Sequence, residues 1–259
     1  MNLGIAGRTA VVTGASKGIG RAIAEELAGA GVHLALVARG APALRALADE
    51  LTGRYPVRVV PLAGDVGGPG LAQLLGEVSA AMGTVDIVIN NAGSTGSGDL
   101  HADDEAIWKA AFDLKLMGYL RVIRHFAPGM IARRWGRIVN IIGRTGVQPE
   151  PTYLAGGAIN AALINLTRAL ARELGPHQVL VNGINPGPIA TTRWQTILAE
   201  RALLQSGAAG ETQARAIRSI PLGRIGEADE VAAAVAFMCS ERASFVNGSI
   251  VGVDGGGTA

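Results

Sequence analysis

Short, almost continuously apolar runs alternate along the chain with longer segments in which apolar residues recur every three or four positions. The short runs are rich in β-branched residues and occupy residues 9–13, 33–38, 57–62, 85–89, 137–142, 179–184 and 249–253. Runs that are apolar on both faces predict strands of a buried parallel sheet. The longer segments, such as the stripe of Ile19, Ile23 and Leu27, predict amphipathic helices. This alternation predicts a doubly wound (Rossmann-type) α/β fold with right-handed crossovers.

No shift in composition divides the 259 residues, so we expect a single domain over residues 1–259. The stretch at about 190–220 is more polar than the rest, keeps helical spacing and follows the sixth predicted strand. A substrate lid and a plain surface pair of helices both fit this pattern, and the sequence leaves the two open.

The overall composition excludes several classes of protein. Hydrophobic residues make up 49% of the chain and the net charge is only +2, with scattered basic residues, so no nucleic-acid partner is expected. The single cysteine, Cys239, excludes a disulfide within the chain, and the four histidines show no metal-ligand spacing. The N-terminus does not resemble a signal peptide, and no unbroken apolar run approaches roughly 18 residues. We therefore expect a cytoplasmic protein without a membrane partner or a metal.

The turn between the first predicted strand and the first predicted helix is rich in glycine. Glycines allow positive φ and let a phosphate approach the backbone, while the following helix N-terminus offers free N–H groups. The pattern predicts a dinucleotide site formed by Gly14, Ser16, Lys17, Gly18, Ile19 and Gly20.

The residue after the second predicted strand bears on which dinucleotide is bound. A carboxylate for the ribose is expected about 20 residues beyond the glycines, but Arg39 stands there instead. An arginine can pair with a 2′-phosphate, and Lys17 adds a second cation nearby. This favours NADP(H) over NAD(H), with a merely solvated arginine as the alternative.

Six motifs in this order resemble those of the short-chain dehydrogenase/reductase family over almost the full length. They are the glycine turn at 13–20, Asp65-Val66, the run Asn90, Asn91, Ala92 and Gly93, the segment 185–191, and the segments 221–224 and 253–256. The resemblance implies a seven-stranded sheet and a homotetramer or homodimer. It also implies cofactor contacts from Asp65, Val66, Asn91, Ala92, Gly93, Tyr153, Pro186, Gly187, Ile189 and Thr191.

The family works with an asparagine, a serine, a tyrosine and a lysine, and only the tyrosine is matched. Tyr153 aligns with it, which implies that Tyr153 is the proton donor. Lys115 stands at the asparagine position, Gly143 at the serine position and Gly157 at the lysine position. The loop before Tyr153 is short, so Thr145 is a second candidate for the missing hydroxyl.

These departures change the chemistry that the site can perform. A free tyrosine has a pKa of about 10, and the family's lysine favours its phenolate. Without that lysine a neutral phenol still donates a proton but is a poor base, which predicts reduction in preference to oxidation. Lys115 is either a relocated cation or a residue of the surface or of a subunit contact.

The sequence therefore supports two functions. The first is NADP(H)-dependent reduction of a carbonyl substrate with Tyr153 as proton donor, so the expected partner is a small-molecule carbonyl compound or alcohol. The alternative is a catalytically impaired or non-redox nucleotide-binding member that acts as a sensor or assembly partner. The sequence does not identify the substrate.

Overall fold

The computed structural model describes residues 2–93, 95–98, 100, 104–204 and 209–259, with side chains for all of these except 201–204 and 209. Its sheet has seven parallel strands in the order β3-β2-β1-β4-β5-β6-β7. The strands are β1 (Thr9–Thr13), β2 (His33–Ala38), β3 (Val59–Ala63), β4 (Ile87–Asn90), β5 (Gly136–Ile141), β6 (Val179–Pro186) and β7 (Ile250–Val253). The predicted doubly wound fold is confirmed.

Strand boundaries differ from the predicted ones by up to two residues. The third strand begins at Val59 because the backbone N–H of Arg58 donates to the Nδ1 ring nitrogen of His33 at 3.0 Å. The sixth strand continues to Pro186, which pairs with Val253 of β7. The segment that leads into the cavity described below is therefore fixed to the sheet.

Nine α-helices connect the strands in the part of the chain that the structure describes. They are α1 (Gly18–Gly29), α2 (Ala41–Arg54), α3 (Leu71–Met82), α4 (Glu105–Ala111), α5 (Gly118–Arg133), α6 (Leu154–Leu174), α7 (Thr192–Leu204), α8 (Ala209–Arg218) and α9 (Ala228–Cys239). The helices α1, α2 and α9 cover one face of the sheet, and α3, α5 and α6 cover the other. Cys239 is buried in the first of these layers, where burial raises its pKa to about 12.

The helix α6 is apolar enough, in an 18-residue window between Leu154 and His177, to cross a membrane by length and composition alone. In the fold it packs against β6 and α4, and 44% of that window is buried. The core helix of a globular protein meets the same criterion, so this helix is explained by the packing of the sheet.

The order of the strands places a switch point between β1 and β4, because the chain winds outward from β1 to β3 and then returns to the other side. In open α/β sheets, ligands bind at such a point, outside the carboxyl ends of the strands. The polar stretch that follows β6 forms the helices α7 and α8 on this side of the sheet.

Candidate active site

A cavity of about 680 Å³ lies at the switch point. It is lined by every residue that the sequence predicts to hold the cofactor, namely Gly14, Ser16, Lys17, Gly18, Ile19, Gly20, Arg39, Asp65, Val66, Asn91, Ala92, Gly93, Tyr153, Pro186, Gly187, Ile189 and Thr191. Lys115 and Gly143 line it as well. Thr145 is not among the described lining residues.

The glycine turn leaves a hollow that side chains would fill. Gly14 and Gly18 have φ values of +68° and +56°, which disfavour residues with a Cβ. A Cβ on Gly20 would lie 2.2 Å from the carbonyl oxygen of Gly14. The turn therefore closes onto the start of α1 only with glycine at these places, and the cradle fits the pyrophosphate of a dinucleotide.

Asn91 holds this turn in place from the neighbouring strand. Its side-chain amide donates to the carbonyl oxygens of Thr13 at 3.0 Å and Gly14 at 3.1 Å. The hydroxyl of Thr13 in turn accepts the backbone N–H groups of Asn91 at 2.9 Å and Ala92 at 3.1 Å. The side chain of Asn91 thus fixes the shape of the cavity wall.

The end of the cavity beside β2 is suited to the adenosine half of the cofactor. Arg39 and Lys17 are exposed there and supply two positive charges. Asp65 follows β3, and its carboxylate accepts the backbone N–H of Gly67 at 2.9 Å. A 2′-phosphate between the two cations is electrostatically favoured.

The segment after β6 forms the opposite wall. A Cβ on Gly187 would lie 2.8 Å from the Cα atom of Asp254, so the segment needs glycine to pass beneath the C-terminal strand. Thr191 begins α7 by accepting the backbone N–H of Trp194 at 3.3 Å. Its methyl group would meet a Cβ on Gly18 at 3.3 Å, which brings the two walls together.

Tyr153 stands immediately before α6. Its hydroxyl shares a hydrogen bond of 2.9 Å with the hydroxyl of Thr95, a buried residue of the loop after β4. Its ring lies over Gly156, where a Cβ would be 2.0 Å from the Cε1 atom of the ring. The glycine at 156 is therefore required by the close approach of the tyrosine.

Gly157 lies on α6 outside the described lining of the cavity. The described atom nearest to a Cβ at this position is the carbonyl oxygen of Thr145 at 3.4 Å, and Gly157 does not belong to the described lining of the cavity. A lysine there would begin beside the Thr145 carbonyl.

Lys115 is an interior residue. It lies in a π-helical segment, Phe112–Met117, between α4 and α5, and segments of this kind are frequent at functional sites. Its stem passes beside Gly93, where a Cβ would be 3.1 Å from the lysine Cδ. The ammonium donates to the carbonyl oxygen of Ile142 at 2.5 Å and to Oδ1 of Asn160 at 2.6 Å. The alternative of a surface charge or subunit contact is therefore wrong.

The environment of Lys115 weakens its charged form. Burial, and secondly the positive charge of Arg193, lower the pKa of its ammonium to about 7. Both of its described hydrogen-bond acceptors are uncharged. The described bonds of the ammonium do not include the Tyr153 hydroxyl. The two groups line the same cavity, but Thr95 holds the hydroxyl and Ile142 and Asn160 hold the ammonium.

Asn160 organises the space between Lys115 and the loop after β5. Its amide group donates to the Thr145 hydroxyl at 2.8 Å. Gly143 has a φ of +130°, and a Cβ there would lie 2.8 Å from the amide nitrogen of Asn160. Thr145 therefore supports Asn160 from behind, and the glycine at 143 makes room for the amide.

Asn160, Thr95 and Arg193 were absent from the residues singled out in the sequence. Asn160 has a readable signal, because it is a polar residue on the buried face of α6 beside Ile159 and Leu163. Thr95 and Arg193 carry no such signal, since they reach the site through contacts between distant parts of the chain.

Comparison with known proteins places this geometry in a family. The sequence model described as "Enoyl-(Acyl carrier protein) reductase" matches residues 14–258. The 3-oxoacyl-[acyl-carrier-protein] reductase FabG of Aquifex aeolicus is 34% identical over 260 residues, which cover 99% of both chains. The chain belongs to the short-chain dehydrogenase/reductase family. The resemblance of the six motifs is thereby confirmed.

Two further members of the short-chain dehydrogenase/reductase family bear on the cofactor. The "NADPH-dependent reductase BacG" of Bacillus subtilis is 32% identical, with coverage of 96% of this chain and 97% of the relative. The structure of L-sorbose reductase from Gluconobacter frateurii, complexed with NADPH and L-sorbose, matches with 36% identity and a TM-score of 0.92 over 100% of this chain and 99% of the other. The chain is an NADP(H)-dependent oxidoreductase of this family, as predicted.

Proposed function

We propose that the protein reduces the carbonyl group of a small-molecule substrate and that Tyr153 donates the proton. The observation that carries the proposal is that Tyr153, Gly143 and Lys115 line the same cavity as the residues that suit the cofactor. NADPH, when bound, supplies the hydride. The chain's own groups supply the proton and the charge that stabilises the forming alkoxide.

The hydrogen-bond partner of the Tyr153 hydroxyl favours carbonyl reduction over alcohol oxidation. Its hydroxyl is oriented by Thr95, a neutral partner, at 2.9 Å. A neutral phenol donates a proton to an alkoxide without prior ionisation, whereas oxidation needs it as a base near neutral pH. We therefore expect reduction to be faster than oxidation of the corresponding alcohol at pH 7.

Lys115 and Asn160 place a cation on the π-helical segment and an amide on α6, whereas the family resemblance implies an amide at position 115 and a lysine on α6 at position 157. The lysine stands at the family's asparagine position, and the residue of α6 that contacts its ammonium is an amide. A cation in this enclosed place stabilises negative charge more strongly than it does in water. We propose that Lys115 stabilises the alkoxide, while Asn160 and Thr145 position its ammonium and Gly143 makes room for them.

The remaining expectations belong to the same proposal. The single domain of residues 1–259 uses α7 and α8, at about 190–220, as a substrate lid. Five residues of α7 line the cavity, which supports this role.

Exposed Trp108 and Phe112, at 39% and 46%, offer an apolar surface for a homotetramer or homodimer. We propose a cytoplasmic location.

The experiment follows NADPH oxidation with a panel of ketones, quinones, keto sugars and oxo acids. We expect reduction of at least one class, and a loss of about a hundredfold or more in kcat for Tyr153→Phe. Tyr55→Phe is the matched control, because Tyr55 packs beside Gly29, away from the cavity. We expect this control to keep full activity.

Two results would contradict the proposal. One is tight binding of NADPH, measured by calorimetry, without turnover of any compound in the panel, which would favour a sensor or assembly role. The other is a Tyr153→Phe variant that reduces the substrate as fast as the unmodified protein, which would assign the proton to another group.

A further inference from the structure

Two pairs of positive side chains line the cavity, at its two ends. Lys17 and Arg39 lie beside the glycine turn and β2, whereas Lys115 and Arg193 lie on the side of β4 and β5. Because β2 and β5 are three strand spacings apart, these ends are separated by about 14 Å. The first pair suits the extra phosphate of NADP(H), so the second pair needs an explanation of its own.

Arg193 is held in the first turn of α7 by the loop after β4. Its guanidinium donates to the carbonyl oxygen of Thr95 and lies 3.6 Å from Oε1 of Glu200. The other oxygen of Glu200 accepts the backbone N–H of Ser97 at 3.0 Å. A guanidinium carries five N–H donors, so these two described contacts leave capacity for an anion.

Thr95 links Arg193 to the proposed proton donor. Its backbone carbonyl accepts from Arg193, and its hydroxyl bonds to the Tyr153 hydroxyl at 2.9 Å. The guanidinium of Arg193 and the phenol of Tyr153 therefore share Thr95 as a hydrogen-bond partner. A substrate carbonyl at Tyr153 would bring a substituent only a few bonds away into the neighbourhood of Arg193.

The charges at this end of the cavity do not balance. The ammonium of Lys115 is bonded to two neutral oxygens, those of Ile142 and Asn160. Among the described lining residues the acid is Asp65, at the far end after β3, and Glu200 lies behind Arg193. Enclosed positive charge without a counter-ion is costly, so a ligand that brings a negative charge is favoured.

We propose that the substrate is an oxo acid, with a carboxylate a few bonds from the reducible carbonyl, and that Arg193 binds this carboxylate. The planar guanidinium matches the two oxygens of a carboxylate with paired hydrogen bonds. This substrate class rests on the proposed carbonyl reduction. It differs from a neutral sugar, which would bring no negative charge to an end of the cavity where Glu200 pairs with Arg193 and the described bonds of Lys115 are to neutral oxygens.

The test compares acids with their neutral methyl esters as substrates for NADPH-dependent reduction. Suitable pairs are pyruvate, phenylpyruvate and acetoacetate with the corresponding esters. We expect kcat/KM for the acid to exceed that for the ester by about tenfold to a thousandfold in at least one pair. Arg193→Gln should lower this acid-to-ester ratio about tenfold or more, and Arg193→Lys should retain part of it.

The ratio separates recognition from general damage. A displaced Tyr153 slows the reduction of acid and ester alike, so it leaves the ratio unchanged, whereas loss of a carboxylate partner changes it. Arg168→Gln is the matched control, because Arg168 is an exposed arginine of α6 outside the described lining of the cavity. We expect the ratio of this control to equal that of the unmodified protein.

Equal or faster reduction of the ester in every pair, or a ratio that survives Arg193→Gln, would overturn the proposal. Failure to reduce any carbonyl compound, charged or neutral, would instead contradict the proposed function. In that case calorimetry with phenylpyruvate and its ester, added to the protein with NADP⁺, decides the question. Weaker binding of the acid alone in Arg193→Gln supports the carboxylate site, and equal binding of acid and ester overturns it.

Discussion

The two halves of the cavity differ in how closely they follow the family to which the chain belongs. The cofactor half keeps the glycine turn of the family motif, and Arg39 is the residue type that suits NADP(H) at its position. The catalytic half has a lysine at the asparagine position, a glycine at the serine position, and an amide on α6 against the lysine. The cofactor half thus keeps the motif of the family, whereas the catalytic half has different residue types within the same fold.

This difference reflects the kind of atoms that build each half. The cofactor half is made largely of backbone, so each glycine is fixed by a local clash, such as that between a Cβ on Gly20 and the Gly14 carbonyl. The catalytic half is made of side chains that converge from separate elements. Side chains such as Lys115 and Asn160 can exchange types, provided that a cation remains at the same place.

The largest expected effect tests the rigidity of the cofactor half. In Gly20→Ala the added Cβ would lie 2.2 Å from the Gly14 carbonyl oxygen, so the turn must open. We expect NADPH affinity, measured by fluorescence titration, to fall about a thousandfold, which corresponds to about 4 kcal/mol. Gly53→Ala in α2, where a Cβ meets nothing within 4 Å, is the control and should bind normally. Binding within threefold of normal in Gly20→Ala would contradict this account.

The second effect tests whether the catalytic half depends on Lys115. We expect Lys115→Met to lower kcat for reduction about a hundredfold, because one preorganised charge at a forming oxyanion is worth about that much. NADPH binding should change only a few-fold. Lys109→Met is the control, since Lys109 is 80% exposed and pairs with Asp113 at 3.2 Å. Equal losses in the two variants would remove the special role of Lys115.

The reaction rate and the free energy of unfolding should both depend on the protonation of the Lys115 ammonium. Because burial lowers the Lys115 pKa to about 7, the charged form is lost as the pH rises through that value, and we expect kcat/KM for reduction to fall by about tenfold between pH 6.5 and 8. Stability should change oppositely. Between about pH 7 and 10.5 the unfolded chain binds the extra proton, so the free energy of unfolding rises with pH.

Lys115→Met provides the reference for both pH profiles. It lacks the titrating group, so its rate profile should lose the fall near pH 7 and its chemical denaturation should lose the corresponding gain in stability. A fall in rate that persists unchanged in Lys115→Met would show that another group titrates.

A smaller effect tests the exchange between the π-helical segment and α6. We expect Lys115→Asn and Asn160→Lys each to impair reduction, since the first removes the cation and the second places two ammonium groups in contact. The double variant restores one cation and one amide, and we expect it to recover at least about tenfold in kcat over Lys115→Asn. Strictly multiplicative losses in the double variant would contradict the exchange.

The smallest effect concerns Gly157, where the family alignment alone would place the missing lysine. A Cβ at this position would lie 3.4 Å from the Thr145 carbonyl oxygen, and Gly157 is outside the described lining of the cavity. We expect Gly157→Lys to change kcat less than about threefold, within the range of an exposed substitution. A large gain in the rate of reduction would show that a lysine at position 157 can act as the family's lysine does.

The residues that the sequence predicts for the cofactor half line one cavity in the structure, and they could be singled out because their signals are local. The glycines, Arg39 and Asp65 each follow a recognisable strand, and the fold brings strand ends together at one edge. Tyr153 was readable for the same reason, since a motif marks it. The strand ends were less exact, as at Val59, because the backbone N–H of Arg58 donates to the ring of His33 just before pairing begins.

The partners of the catalytic half could not be predicted from local patterns. Thr95 is joined to Arg193 across 98 positions, and Lys115 to Asn160 across 45. The second of these contacts depends on how the π-helical segment packs against α6. Spacing within one element carries no information about them.

The ring of Tyr153 over Gly156 limits which substitutions these two positions can accept. Any residue larger than glycine at 156 would expel the ring from its place, so a new catalytic side chain cannot be acquired there while Tyr153 keeps its position. Substitutions at the two sites must therefore occur in a particular order. A single substitution at position 156 is therefore incompatible with the present place of the Tyr153 ring.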